Sequence, residues 1–65
     1  MPDDASTHEL TLREREVLRE LRQGLSDVQI ADRLYISPRT VAMLVGRLLA
    51  KTGTADRSQL ASRGI

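Results

Sequence analysis

The sequence predicts an all-α domain of four short helices. Three observations predict it. Three helix-start signatures are each followed by apolar residues at helical spacing. The connections between these segments are only two to four residues long, and no run alternates apolar and polar residues as a half-buried strand does. At 65 residues the chain is one domain. A chain of that size buries only about 60% of its surface on folding, so the core must be small.

Residues 1–8 lack apolar periodicity and are expected to form a flexible tail ahead of a folded domain spanning 9–65. The first helix opens at Thr11-Leu12-Arg13-Glu14, a capping box in which the hydroxyl and the carboxylate each satisfy an otherwise orphaned backbone N–H. Val17, Leu18, Leu21 and Leu25 follow at helical spacing and are assigned to the core. Arg13, Glu16, Arg19, Glu20 and Arg22 are assigned to the opposite, solvated face, where Glu16–Arg19 is a favourable pair and Glu16–Glu20 an unfavourable one. Gly24 supplies the left-handed residue that closes this helix.

Ser26-Asp27-Val28-Gln29 is a second capping box, opening a short helix that buries Ile30, Ala31 and Leu34. Ser37-Pro38 is the third signal: serine is a preferred N-cap, and proline at the first helical position gives up a donor that would be orphaned anyway. The helix it opens should run to about Lys51 and close before Gly53. A shorter last helix follows, capped by Thr54 or Asp56 and carrying Leu60 and Ala61. A helix-turn-helix, with the third helix crossing the second at a steep angle, fits this pattern, and so does a generic helical bundle.

Composition excludes several function classes. The chain has no cysteine, and its one histidine, His8, lies in a polar stretch without partner ligands, so no metal site can be assembled. Without a nucleophile–base pair or a phosphate-cradling glycine loop, neither an enzyme nor a cofactor is expected. No apolar run approaches the ~20 residues that span a bilayer, and the acidic start Met1-Pro2-Asp3-Asp4 is not a signal peptide. A cytoplasmic location follows as the expectation. Net charge is only +1, yet residues 1–32 carry −4 and residues 33–65 carry +5. That asymmetry fits a polyanion facing the C-terminal half, and equally an ordinary solvated charge distribution.

Leu10-Thr11, then Arg13-Glu14-Arg15-Glu16-Val17-Leu18, Gly24-Leu25-Ser26, Ile30-Ala31, Leu34, Ile36-Ser37, Thr40-Val41, Lys51, Gly53 and Arg57 stand in one order and spacing. Together, over roughly residues 9–62, they closely resemble the LuxR-type (GerE-like) helix-turn-helix domain. The resemblance implies a four-helix LuxR/GerE-type helix-turn-helix domain whose second helix supports a recognition helix and whose last helix commonly mediates dimerisation. It implies a bacterial transcription regulator, with double-stranded DNA as the partner. The chain departs from the family pattern at Ala42, where lysine is usual, at Leu44, where histidine is usual, at Gly46, generally polar, and at Thr52, commonly leucine.

With Val41 as the inward reference and 100° per residue, Leu44, Val45, Leu48 and Thr52 lie within about 60° of it and are assigned to the core, with Leu49 at its edge. Arg39, Met43, Gly46, Arg47 and Ala50 face outward, flanked by Thr40 and Lys51. In a helix-turn-helix this face enters the major groove. Arg39 and Arg47 then suit phosphate or guanine, Met43 a thymine methyl, and Ser37, Thr40 and Lys51 phosphate. Gln29 is a further phosphate contact, whereas Asp27 is read only as a charge at a helix N-terminus. The missing lysine should weaken binding and its salt dependence.

The apolar run Ala42-Met43-Leu44-Val45-Gly46 supports an alternative: a scaffold for protein contacts with RNA polymerase, another regulator or itself. Leu60 and Ala61, with Ile65, form a small strip for a weak homodimer that pairs on DNA, unless Leu60 packs inside the monomer.

Overall fold

The computed structural model describes residues 10–62. The expected tail over residues 1–8 and Ile65 of the expected apolar strip lie outside them. Four helices form among the described residues, α1 (Leu12–Leu21), α2 (Asp27–Leu34), α3 (Pro38–Thr52) and α4 (Arg57–Ser62), and no strand.

Each start is fixed locally. The Thr11 hydroxyl accepts the Glu14 N–H at 3.1 Å while Glu14 Oε1 accepts the Thr11 N–H at 2.8 Å. Ser26 and Gln29 repeat the exchange at 3.2 and 2.9 Å. Ser37 accepts the Thr40 N–H at 3.0 Å, with Pro38 as the first helical residue. Of the two caps expected for α4, Asp56 holds the position: its carboxylate accepts the Gln59 N–H at 2.9 Å. Thr54 is buried instead, its hydroxyl 2.6 Å from that of Thr52, which donates to the Leu48 carbonyl at 2.7 Å.

The stops differ in kind. Gly24 and Gly53 hold positive φ beyond α1 and at the end of α3, where glycine has no Cβ to clash. α2 instead ends on Tyr35 in the left-handed region (φ 59°, ψ 43°), with the Ile36 N–H donating to the Ala31 carbonyl at 3.0 Å. This is the bond of a Schellman stop, made here by a residue that carries a side chain. Nothing local in Leu34-Tyr35-Ile36 signals it.

The core collects Leu10, Val17, Leu18 and Leu21 with Ile30 and Ala31, the α3 stripe Val41, Leu44, Val45 and Leu48, and Leu60 of α4. α3 packs against all three other helices, most extensively against α2, the pairing a helix-turn-helix requires. Leu60 is 0% exposed. The strip expected for dimerisation is therefore corrected: Leu60 fills the monomer's own core and Ala61 is half-buried against it. In so small a domain even the six-residue α4 adds to the core, packing against α1 and α3 through Leu60.

On α1, Glu20 is buried rather than on the solvated face expected for it, and Glu14, the capping-box carboxylate, is 0% exposed. Counting 100° per residue from Val17 places each about 60° to either side, at the two edges of the buried arc. Glu20 accepts Arg33 Nε from the last turn of α2 at 2.6 Å, and Glu14 accepts Lys51 Nζ from the end of α3 at 2.8 Å. Buried carboxylates need a charged partner, and each has one; in Glu14 both bonds fall on Oε1, and Oε2 is buried without a hydrogen-bond partner.

Candidate nucleic-acid interface

The surface that faces away from the core on α3 is the one the helical count predicts. Val41, Leu44, Val45 and Leu48 are buried, whereas Arg39, Ala42, Met43, Gly46, Arg47 and Ala50 are exposed. The apolar run from Ala42 to Gly46 is thereby divided, because Leu44 and Val45 belong to the core and only Met43, 50% exposed, projects as a large apolar group. A methyl placed on Gly46 would meet nothing within 4 Å, so the fold itself does not require glycine there.

The N-terminus of α3 is nearly consumed by its own cap. Ser37 Oγ takes the Thr40 N–H and lies 2.9 Å from Thr40 Oγ1, and the Val41 N–H returns to the Ser37 carbonyl at 3.1 Å. Pro38 has no N–H. The Arg39 N–H is left as the outward donor, between two exposed hydroxyls that retain acceptor capacity. One turn into α2, Gln29 spends its Oε1 on the Ser26 N–H, which leaves its amide nitrogen as a donor on an exposed residue. Gln29, Ser37, Arg39, Thr40, Met43 and Arg47 thus lie on the supporting helix's first turn or on the outward side of α3.

Lys51 is placed differently. Its ammonium turns onto the buried Glu14 carboxylate, which also holds the Thr11 N–H. Burial by itself pushes this carboxyl up, but the Lys51 ammonium, the Thr11 amide and the positive charge of Arg47 outweigh it and hold Glu14 below the usual carboxylate value. A lysine so engaged ties the C-terminal end of α3 to the cap of α1.

The remaining charges follow the same logic. Arg57, first residue of α4, donates Nη1 to Asp27 Oδ1 and Nη2 to the Leu25 carbonyl at 3.0 Å. Arg33, Lys51 and Arg57 of the basic half are therefore each paired with a carboxylate of the acidic half. The charge asymmetry of the sequence is largely cancelled across helix–helix contacts. Among the described residues, Arg19, Arg39 and Arg47 are the arginines whose side chains make no hydrogen bond or ion pair, and two of these three stand on the outward side of α3. Nothing in the sequence pattern makes this selection, because each of the three pairs joins residues on different helices.

The model of the family of bacterial regulatory proteins called the luxR family matches residues 8–63. The chain is 45% identical over 60 residues to the transcriptional regulatory protein YhcZ of Bacillus subtilis, covering 92% of this chain and 28% of that protein. It is 48% identical over 52 residues to the DNA-binding transcriptional activator DevR/DosR of Mycobacterium tuberculosis, 80% of this chain and 24% of the other. A probable transcriptional regulatory protein NarL of the same species is 47% identical over 49 residues, 75% and 23% respectively. The chain thus spans about a quarter of the length of these relatives. No solved structure matches it.

Proposed function

The chain belongs to the luxR family of bacterial regulatory proteins, and from that premise we propose that it is the DNA-reading domain of a transcription regulator, with α3 lying in the major groove. The observation that carries this reading is the selective freedom of Arg39 and Arg47. Every other basic side chain described on α2 to α4 is paired with a carboxylate, while these two project from the face opposite the core stripe. Spaced eight residues apart, they lie on one side of the helix over about two turns, roughly 12 Å, a span that matches the floor and walls of the groove.

Arg39 and Arg47 pair with guanine or with phosphate oxygens, and Met43 between them meets a thymine methyl. Ser37, Thr40 and the Arg39 N–H hold a phosphate at the N-terminus of α3, and the Gln29 amide holds another. Lys51 serves the domain through Glu14 rather than through DNA. With Ala42 in place of a lysine, few cations remain to displace counterions, so binding is weak and its salt dependence shallow for this type of domain.

Two copies bind half-sites about one helical turn apart. Because Leu60 is committed to the monomer core, their pairing draws on DNA more than on a strong apolar contact between α4 helices. No helix among the described residues is long and apolar enough to cross a membrane, and a DNA ligand places the domain with the chromosome in the cytoplasm. The protein-interaction alternative loses its motive, since Leu44 and Val45 are not surface residues.

Selection of bound duplexes from a random pool, repeated at two salt concentrations, tests the reading. Enrichment of a defined motif is expected, and Arg39→Ala or Arg47→Ala should each lower the slope of log affinity against log salt by about 0.9 where the arginine contacts phosphate. Absence of any enriched sequence, together with binding unchanged in the double Arg39→Ala, Arg47→Ala variant, refutes it.

A further inference from the structure

Asp27 presents a difficulty for any helix-turn-helix that docks on DNA. It is the first residue of α2, beside Ser26 and Gln29, at the end of the supporting helix that comes up against the phosphate backbone. A carboxylate there repels a phosphate, and it opposes the partial positive charge of the helix end that would otherwise attract one. The structure answers with Arg57. From the first turn of α4, thirty residues away, its guanidinium spans Asp27 Oδ1 and the Leu25 carbonyl. A planar fork suits this two-acceptor grip, which an ammonium cannot reproduce.

We propose that Arg57 is a positioning residue for DNA binding: it neutralises Asp27 and fixes the Leu25–Asp27 turn, so that the α2 N-terminus and the Gln29 amide can approach a phosphate. The inference rests on the DNA-binding reading above and adds a residue outside the reading surface. It also gives α4 a task beyond its packing in the core. The pair is half-exposed, 38% for the Arg57 side chain and 32% for Asp27, so the grip itself contributes little to stability. Its larger consequence is for the field that an approaching polyanion meets.

The test uses the chain itself, as Arg57→Ala, Asp27→Asn and the double variant. Each is titrated into a labelled 30-base-pair duplex of mixed sequence at low and moderate salt, and each is melted thermally. A unit charge acting through water on a phosphate roughly 7 Å away changes affinity about threefold. Arg57→Ala should therefore weaken binding by about that factor or more, Asp27→Asn should tighten it, and the double variant should return to wild-type affinity or better. Melting separates this from a structural role, because the double variant still lacks the grip on the Leu25 carbonyl and should melt no higher than Arg57→Ala. If the double variant binds as weakly as Arg57→Ala, Arg57 acts on DNA directly or through the fold, and the proposal fails while DNA binding stands. If the wild type binds no duplex at low salt, the DNA-binding reading itself fails.

Discussion

Replacing Lys51 by methionine breaks the contact that joins α1 to α3. Methionine keeps most of the apolar stem and removes only the ammonium, which leaves the fully buried Glu14 carboxylate with the Thr11 N–H at 2.8 Å and the field of Arg47. A buried charge deprived of its partner costs several kcal/mol, but a carboxyl has an escape, since it can take up a proton. At pH 7, protonating a group whose ordinary value is 4.5 costs about 3.4 kcal/mol, at 1.36 kcal/mol per unit. The deficit is bounded by this cost plus the stabilisation that the lowered wild-type pKa represents, and the retained Thr11 bond brings the expected loss to about 2–3 kcal/mol. For a domain of this size that is roughly 10–20 °C in Tm.

The pH dependence distinguishes this from a packing defect. In the wild type Glu14 has a depressed folded pKa, so its contribution is present above 4.5 and is lost as pH falls through the folded value. In Lys51→Met the folded pKa is raised, and the deficit shrinks to under about 1 kcal/mol near pH 5. Urea denaturation followed by circular dichroism at pH 7 and pH 5 measures both gaps. A deficit equal at the two pH values, or below about 0.5 kcal/mol at pH 7, refutes the reasoning. Glu14→Gln should cost less than Lys51→Met, because the released ammonium, already 28% exposed, can turn into water.

Tyr35→Gly should raise stability by roughly 0.5–1 kcal/mol in the same assay: the left-handed conformation costs a side-chain-bearing residue about 1–2 kcal/mol, and the ring, 93% exposed, gives up little packing. Leu60→Ala should cost about 2–4 kcal/mol in urea yet leave sedimentation unchanged, since the side chain fills the monomer core; a fall in self-association without a loss of stability would return Leu60 to the dimer strip. Removing both Asp27 and Arg57 charges should alter affinity for DNA far less than removing Arg57 alone, as the duplex titrations above measure.

The helices themselves were legible in the sequence. Thr11–Glu14, Ser26–Gln29 and Ser37–Thr40 each act over three residues, so residue type and spacing define the geometry before any tertiary contact exists. The inward stripe of α3 follows equally from a 100° step, and with it the outward positions of Arg39, Met43 and Arg47. The same count, applied to α1, would put Glu14 and Glu20 at the edges of the buried arc, whereas charge assigns Glu20 to the solvated face. Two local features escaped: the stop at Tyr35, because a tyrosine carries no mark of a left-handed residue, and the choice of Asp56 over Thr54, because both are capable caps.

What only the tertiary structure decided is the assignment of charges. Glu20–Arg33, Asp27–Arg57 and Glu14–Lys51 join residues 13, 30 and 37 positions apart. No periodicity relates such residues, and a net charge summed over half a chain counts each of them as though it faced solvent. Packing three helices around α3 brings these groups together, and the low polarity of the interior then requires each buried carboxylate to find a cation. The sequence by itself determined which face of α3 points outward. The fold determined that the side chains of two arginines on that face, Arg39 and Arg47, are left without a hydrogen bond or ion pair.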